Sequence, residues 1–114
     1  MNKLIRELRK FARDRDWEKF HSPKNLSMAL AVEAAEIMEQ FQWLTEEQSR
    51  NLDKKTLKRI KKEIGDVQIY LARLADQLGF SPVEAAIAKI KENRKKYPVK
   101  KARGVAIKYA DFAK

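Results

Sequence analysis

The chain has 114 residues, enough for one hydrophobic core but not for two. Its 44% hydrophobic and 37% charged residues, with only three glycines and three prolines, exclude a disordered or collagen-like protein and favour a helical one. Cysteine is absent, which excludes disulfides and thiolate chemistry, and the formal net charge of +10 favours an anionic partner, either a nucleic acid or a phosphate-rich small molecule.

The distribution of apolar residues bears on location and on domain organisation. The first ten residues alternate charged and apolar side chains without a continuous apolar segment, so we expect no secretory signal and a cytoplasmic protein. No apolar run approaches the roughly 18 to 20 residues needed to cross a bilayer, so we expect no membrane partner. Residues 1–114 are predicted to form a single domain, with a core over about residues 3–98 and a basic tail over residues 99–114.

Apolar residues at three- and four-residue spacing predict two helices in the first half of the chain. The first helix ends near residues 14–16, and its apolar stripe consists of Leu4, Ile5, Leu8, Phe11 and Ala12. A second, long helix begins with Ser22 as the N-cap and Pro23 at the first helical position. We expect this helix to extend to about Leu44.

Two further helices are predicted in the second half. Thr45 and Gln48 form a capping-box pattern, so residues 45–55 are predicted to be a connection that holds one short turn. The third helix stops at Gly79 and has the most regular apolar stripe, which consists of Ile60, Ile64, Val67, Leu71, Leu74 and Leu78. A fourth helix begins at the Ser-Pro pair of residues 81–82 and extends to about Lys96. The predicted fold class is therefore all-α, a compact four-helix bundle.

Two pairs of acidic residues interrupt the apolar pattern of these helices. Glu33 and Glu36 lie among apolar residues of the second predicted helix, and Glu63 and Asp66 lie beside the stripe of the third. The three-residue spacing places both acids of a pair on one helix face. If the two helices pack antiparallel, the four carboxylates converge into an oxygen-rich cluster of the kind that Mg²⁺ prefers. The alternative is two ordinary charged faces, neutralised by neighbouring lysines and arginines.

The order and spacing of these acids resemble a known family. Glu33-x-x-Glu36, followed after 26 residues by Glu63-x-x-Asp66, is similar to the ExxE and ExxD signature of the all-α nucleotide pyrophosphohydrolases, the MazG-like group. Further similarity lies at residues 15–21, 25–26, 41–43, 65–71 and 89–98, and it points to the branch that contains the dCTP pyrophosphatases. The resemblance extends over about residues 5–98.

The resemblance implies an activity and a metal site. The activity is hydrolysis of (deoxy)nucleoside triphosphates, with a dCTP-like substrate preferred, to a monophosphate and pyrophosphate, in the clearance of surplus or damaged nucleotides. Mg²⁺ is the implied cofactor, with Mn²⁺ as a substitute, and its implied ligands are Glu33, Glu36, Glu63 and Asp66. Glu36 and Glu33 are the implied catalytic residues, with Glu36 as a ligand or as the base for the attacking water.

The resemblance also implies two groups of substrate contacts. The residues expected to bind phosphate are Tyr70, Lys89, Asn93, Arg94 and Lys96. The residues expected to contact the base or sugar are Trp17, His21, Asn25 and Trp43. Leu8 departs from the pattern, because the animal dCTP pyrophosphatases have a histidine there, so a broader range of bases is possible. From the residues alone, a solvated basic helix end and tryptophans in a core or interface remain open alternatives.

The apolar surface of the predicted helices exceeds what one small bundle buries, so we expect a homodimer or homotetramer with sites lined by more than one chain. Two rival functions remain. A basic helical nucleic-acid-binding protein fits the charge, although four clustered carboxylates repel phosphates unless a metal intervenes, so no specific nucleic-acid partner is expected. A regulatory oligomer would keep the fold without catalysis.

Overall fold

The computed structural model describes residues 2–104, and all regular secondary structure in that range is helical, which confirms the predicted all-α fold class. In chain order the elements are α1 (Asn2–Asp14), a 3-10 turn (Glu18–Phe20), α2 (Pro23–Phe41), α3 (Glu46–Arg50), α4 (Lys54–Leu78), α5 (Pro82–Lys96) and α6 (Val99–Ala102). Within this described part of the chain, no helix combines the length and apolar character that a bilayer crossing requires. Residues 105–114 of the predicted basic tail lie outside the described residues.

The chain forms two compact units, which divide between Ser81 and Pro82. The first unit contains α1 to α4, and the second contains α5 and α6. Within the first unit, α4 packs most extensively against α2 and to a smaller extent against α1. α4 is therefore the helix against which both α1 and α2 pack.

Local side-chain caps set the helix ends that the sequence predicts. The Ser22 Oγ accepts the backbone N–H of Asn25 at 3.1 Å and caps α2. At α3, the Thr45 Oγ1 accepts the N–H of Gln48 at 3.1 Å, and the Gln48 side chain accepts the N–H of Thr45 at 2.9 Å. Gly79 ends α4 with a φ of 82°, in the left-handed region that glycine adopts without strain.

Two helix boundaries differ from the sequence prediction. α4 begins at Lys54, inside the predicted connection, because the Asp53 carboxylate accepts the N–H of Thr56 at 2.7 Å and caps a polar first turn. α2 ends at Phe41, short of the predicted end near Leu44, because the chain turns there before the cap of α3. The Leu44 N–H donates to the Phe41 carbonyl within this turn at 2.9 Å.

The core of the first unit is small and lies where α1, α2 and α4 meet. Its buried apolar side chains are Ala12, Leu26, Ile60, Ala72 and Ala75. Ile64 and Leu78, which the apolar pattern places on the buried stripe of α4, are exposed instead. The stripe is wider than the contact surface that α1 and α2 offer within this unit, so part of it stays uncovered there.

An ion pair links α1 to α4 at the edge of this core. The Arg9 Nε donates to the Asp76 Oδ2 at 2.8 Å, and the Arg9 Nη2 donates to the other carboxylate oxygen. The guanidinium and carboxylate thus form a two-point contact that fixes the relative position of the helices. Because the Arg9 side chain is largely exposed, its contribution to stability is modest.

Truncation of the core leucine tests this description. Leu26 is 1% exposed and is the largest fully buried side chain. We expect Leu26→Ala to lower the free energy of unfolding by about 2 to 5 kcal/mol, because it removes buried methyl groups and leaves a cavity. Leu57→Ala, at an exposed position of α4, should cost about 0.5 kcal/mol or less. Urea denaturation measures both, and equal losses would contradict the assigned core.

Candidate active site

Three of the four acidic residues singled out in the sequence meet between α2 and α4. Glu33 and Glu36 project from α2, and Glu63 projects from α4. One carboxylate oxygen from each residue lies within 4.8 Å of those of the other two. Opposite ligands of an octahedral Mg²⁺ are about 4.2 Å apart, so small side-chain adjustments bring all three to one ion. We call Glu33, Glu36 and Glu63 the acidic cluster.

The electrostatics of the acidic cluster show an uncompensated negative charge. The Oε2 atoms of Glu33 and Glu63 are shielded from solvent, and neither has a hydrogen-bond partner among the residues that the structure describes. Burial, followed by hydrogen bonding and repulsion from Glu36, raises the pKa of Glu33 to about 7 from its usual 4.5. A hydrogen bond with Glu36 and then burial raise the pKa of Glu63. Among the described residues, no lysine or arginine forms an ion pair with the cluster.

This donor set fits a divalent cation. The cluster offers only carboxylate oxygens, which are the hard ligands that Mg²⁺ and Mn²⁺ accept. A cation between the three carboxylates would give the two unpartnered buried oxygens a ligand and would remove the repulsion that raises the pKa of Glu33. The residues present therefore suit the metal that the acidic pattern predicts.

Asp66, the fourth predicted ligand, lies close to the acidic cluster but is not part of it in this structure. It is exposed on α4, one turn after Glu63, and its oxygens are outside the set that lies within 4.8 Å. Its negative charge nevertheless raises the pKa of both Glu33 and Glu63. Asp66 also lines a neighbouring cavity. Its role as a ligand stays a prediction.

The cavity beside Asp66 has a volume of about 190 Å³ and lies between α1 and α4. One wall is aromatic: the rings of Phe11 and Trp17 meet edge to face with centroids 5.6 Å apart, and those of Trp17 and His21 meet at 6.4 Å. Tyr70 and other α4 residues form the opposite wall. An apolar cavity with a few polar groups suits a planar ring.

His21 lies on this wall as a neutral group. Burial, and then the positive charge of Arg73, lowers the pKa of the imidazole below its usual 6.5. The His21 Nδ1 is shielded from solvent and has no hydrogen-bond partner among the described residues. The side chain is therefore available to contact a ligand in the cavity, as a neutral donor or acceptor.

Arg73 is a charged residue of the cavity wall that the sequence pattern did not single out. It is 6% exposed, although arginine is rarely buried unless it is paired. The signal was present in the spacing, because Arg73 follows Asp66 by seven residues and Tyr70 by three, and so continues one polar row along α4. Leu8 also lines the cavity, so the departure noted in the first helix lies on its wall.

Comparison with known proteins shows the family of this chain. The model of the MazG-like family matches residues 28–112. The chain belongs to the MazG-like family. It is 42% identical to dCTP pyrophosphatase 1 of Mus musculus and 37% identical to dCTP pyrophosphatase 1 of Homo sapiens, over 90% of this chain and 61% of each relative. A solved pyrophosphatase from Archaeoglobus fulgidus is 38% identical, with a TM-score of 0.76 over 86% of this chain and 92% of that one.

These comparisons differ in how much of the related protein they cover. The chain spans about three fifths of the length of the two mammalian relatives, whose names specify dCTP. It spans nearly all of the archaeal structure, whose name specifies only a pyrophosphatase. The MazG-like fold is therefore shared over most of the chain, whereas the relatives named for dCTP are matched over only part of their length.

Two residues predicted to contact the base do not line the cavity of this MazG-like chain. The Asn25 side-chain amide donates to the Phe20 carbonyl at 3.0 Å and holds the 3-10 turn against the start of α2. Trp43 follows the end of α2 and is 87% exposed. Asn25 has a local structural contact, and Trp43 presents its ring at the surface, so their roles at the base stay predictions.

The remaining predicted phosphate contacts lie on α5, in the second unit. Lys89 and Lys96 both pair with Glu92, at 3.4 and 3.0 Å. Asn93 is half-buried and Arg94 is exposed. The helix end thus has a surplus of positive charge, with one acidic residue already shared between two lysines. That these four residues bind phosphate stays a prediction.

The raised pKa of Glu33 predicts how stability changes with pH. Between about pH 4.5 and pH 7 the folded protein holds a proton on Glu33 that the unfolded chain has released, so this residue makes stability fall as the pH rises. We expect the melting temperature of the metal-free protein to fall more between about pH 5 and pH 8 in the wild type than in Glu33→Gln. The pH profile of Glu39→Gln, at an exposed position of α2, should match the wild type.

Differential scanning calorimetry without metal measures this difference. The comparison with Glu33→Gln cancels the opposite contribution of His21, whose lowered pKa makes stability rise with pH in both proteins. Superimposable pH profiles for the wild type and Glu33→Gln would contradict the electrostatic description of the acidic cluster.

Proposed function

We propose that the chain is a Mg²⁺-dependent nucleoside triphosphate pyrophosphohydrolase, which converts a dCTP-like nucleotide to its monophosphate and pyrophosphate. The observation that supports this most is the acidic cluster of Glu33, Glu36 and Glu63 next to an aromatic-lined cavity. Triphosphate binding by carboxylates requires a cation between them, and the cavity accommodates a ring. The names of the relatives, dCTP pyrophosphatase 1 and a pyrophosphatase, support the same chemistry.

The three carboxylates of the acidic cluster would have different roles, as metal ligands and as the acceptor of a proton. Glu33 and Glu63, each with one buried oxygen, are suited to be fixed ligands, with Asp66 completing the set from its position next to Glu63. These carboxylates would hold a divalent cation, Mg²⁺ or Mn²⁺, which would supply positive charge to the triphosphate and would lower the pKa of an attacking water. Glu36, at the centre of the hydrogen bonds, would accept the proton of that water, with Glu33 as the second catalytic carboxylate.

The remaining predicted residues would orient the substrate. The Tyr70 hydroxyl on the cavity wall would donate to a phosphate oxygen, next to Asp66 and the acidic cluster. The cationic and amide groups of α5, namely Lys89, Asn93, Arg94 and Lys96, would neutralise the triphosphate. Trp17 and His21 would contact the base in the cavity, with Asn25 fixing the turn that precedes α2. We propose that residues 1–114 are a single MazG-like nucleotide pyrophosphohydrolase domain.

Self-association is part of this proposal. Several large apolar side chains are exposed on the first unit: Met28, Val32, Met38, Ile64 and Leu78. Association of subunits would bury exposed apolar side chains of this kind. Light scattering at micromolar concentration should give the mass of two or four 13.4 kDa chains. A mass of one chain would contradict the proposed homodimer or homotetramer.

Removing one carboxylate tests the proposed activity. Glu63→Gln keeps the size of the side chain and removes its charge, so we expect Mg²⁺-dependent release of pyrophosphate from dCTP to fall at least about 100-fold, since a metal ion contributes several kcal/mol to such a transition state. Glu39→Gln should keep the wild-type rate. A coupled pyrophosphate assay over canonical and modified triphosphates measures both. Full activity of Glu63→Gln, or of the wild type in excess chelator, would contradict the proposal.

The net charge of +10 favours a second candidate, a helical protein that binds nucleic acid. Fluorescence anisotropy with labelled DNA at rising salt distinguishes the two. Tight binding with a steep salt dependence, together with no turnover of any triphosphate, would favour this candidate. Weak binding with pyrophosphate release would favour the enzyme.

A further inference from the structure

The cavity wall contains a buried cation, Arg73, with an N–H donor that no described residue accepts. The Arg73 side chain is 6% exposed and lines the cavity. Its Nε–H is shielded from solvent and has no acceptor among the described residues. Its Nη1 lies 3.8 Å from the Asp76 Oδ2, which is close enough for an ion pair but too long for a hydrogen bond.

Asp76 does not hydrogen-bond Arg73 because its carboxylate is already bonded to another arginine. Arg9 donates to both oxygens of the Asp76 carboxylate, with an Nε to Oδ2 distance of 2.8 Å. The link between α1 and α4 is therefore made by Arg9 and Asp76. Burying a guanidinium with unused N–H groups costs free energy. A ligand in the cavity that offers acceptors would recover part of this cost.

The surroundings of Arg73 restrict what that ligand is. Phe11 and Trp17 form an aromatic wall, and His21 is neutral, so Arg73 supplies the positive charge of this cavity wall. The matching ligand is a planar ring that carries oxygen or nitrogen acceptors. Nucleobases have this chemistry, and a guanidinium fork matches adjacent acceptors such as the carbonyl and ring nitrogen of guanine.

We propose that Arg73 is a specificity-determining residue, whose guanidinium donates to a carbonyl oxygen of the nucleobase in the cavity beside Asp66. Cytosine, thymine and guanine each have such a carbonyl, and adenine has none. Adenine instead places its amino donor next to two of its ring acceptors, N1 and N7, which opposes a guanidinium approaching from that edge. This inference rests on the proposed function, because it assigns a role in selecting the substrate of that reaction.

Selectivity among four substrates tests this role. The ratio of kcat/KM for dCTP, dTTP and dGTP to that for dATP is measured with Mg²⁺ for the wild type and for Arg73→Met, which removes the donors and keeps an unbranched side chain. We expect the wild type to disfavour dATP, and Arg73→Met to lower the dCTP to dATP ratio about tenfold or more, mainly through a higher KM for dCTP. Lys58→Met, which removes an exposed cation from the same helix, should keep the wild-type ratio.

Two features of the design separate a specificity role from a structural one. The ratio is taken within each variant, so a loss of folded protein cancels. Arg73→Lys keeps a cation at this position with a shorter reach and no planar fork, and we expect a ratio several-fold below the wild type; it replaces Arg73→Met if that variant does not fold.

The outcomes of these measurements distinguish the role of Arg73 from the proposed function. A wild type that hydrolyses dATP as well as dCTP, or Arg73 variants that slow all four substrates equally, would overturn the role of Arg73 and leave the proposed function standing. Absence of pyrophosphate release from any triphosphate by the wild type would overturn both. A selective loss for the carbonyl-bearing bases would establish the role.

Discussion

Glu33, Glu36 and Glu63 repel one another, and the packing of α2 against α4 holds them together despite this repulsion. Buried side chains such as Leu26 and Ile60 stabilise the helix pair, and this stabilisation offsets the cost of bringing like charges close. The pKa of Glu33 is raised because burial and the neighbouring carboxylates disfavour its charged form. A cation bound by the acidic cluster would relieve this repulsion, and the relief would contribute to the free energy of binding.

α4 carries one row of residues of the candidate site. Along α4, the polar side chains of Glu63, Asp66, Tyr70 and Arg73 follow each other at steps of three, four and three residues. At 1.5 Å per residue this row is about 15 Å long. It leads from Glu63 of the acidic cluster to Arg73 in the cavity wall, and the roles proposed for these residues follow the order of metal, phosphate and base along a nucleotide. The apolar stripe beside the row supplies the contacts that keep α4 in place.

Features that depend on residues a few positions apart could be predicted from the sequence. The caps at Ser22 and Thr45 and the acid pairs are of this kind, because each depends on local spacing. Features that depend on how far neighbouring helices extend could not be predicted from the sequence. The exposure of Ile64 and the burial of Arg73 both result from which part of α4 is covered by α1 and α2, and periodicity contains no such information. Arg73 belongs to a polar row in the sequence, and nothing in its spacing indicates that its side chain is buried.

Anomalous diffraction would show whether three glutamates from two helices hold one divalent cation. Crystals grown with Mn²⁺ and a non-hydrolysable nucleotide analogue would be measured at the manganese edge. We expect an anomalous peak within about 2.2 Å of oxygens from Glu33, Glu36 and Glu63. Manganese bound elsewhere, with the three carboxylates bridged by protons or lysines instead, would contradict it.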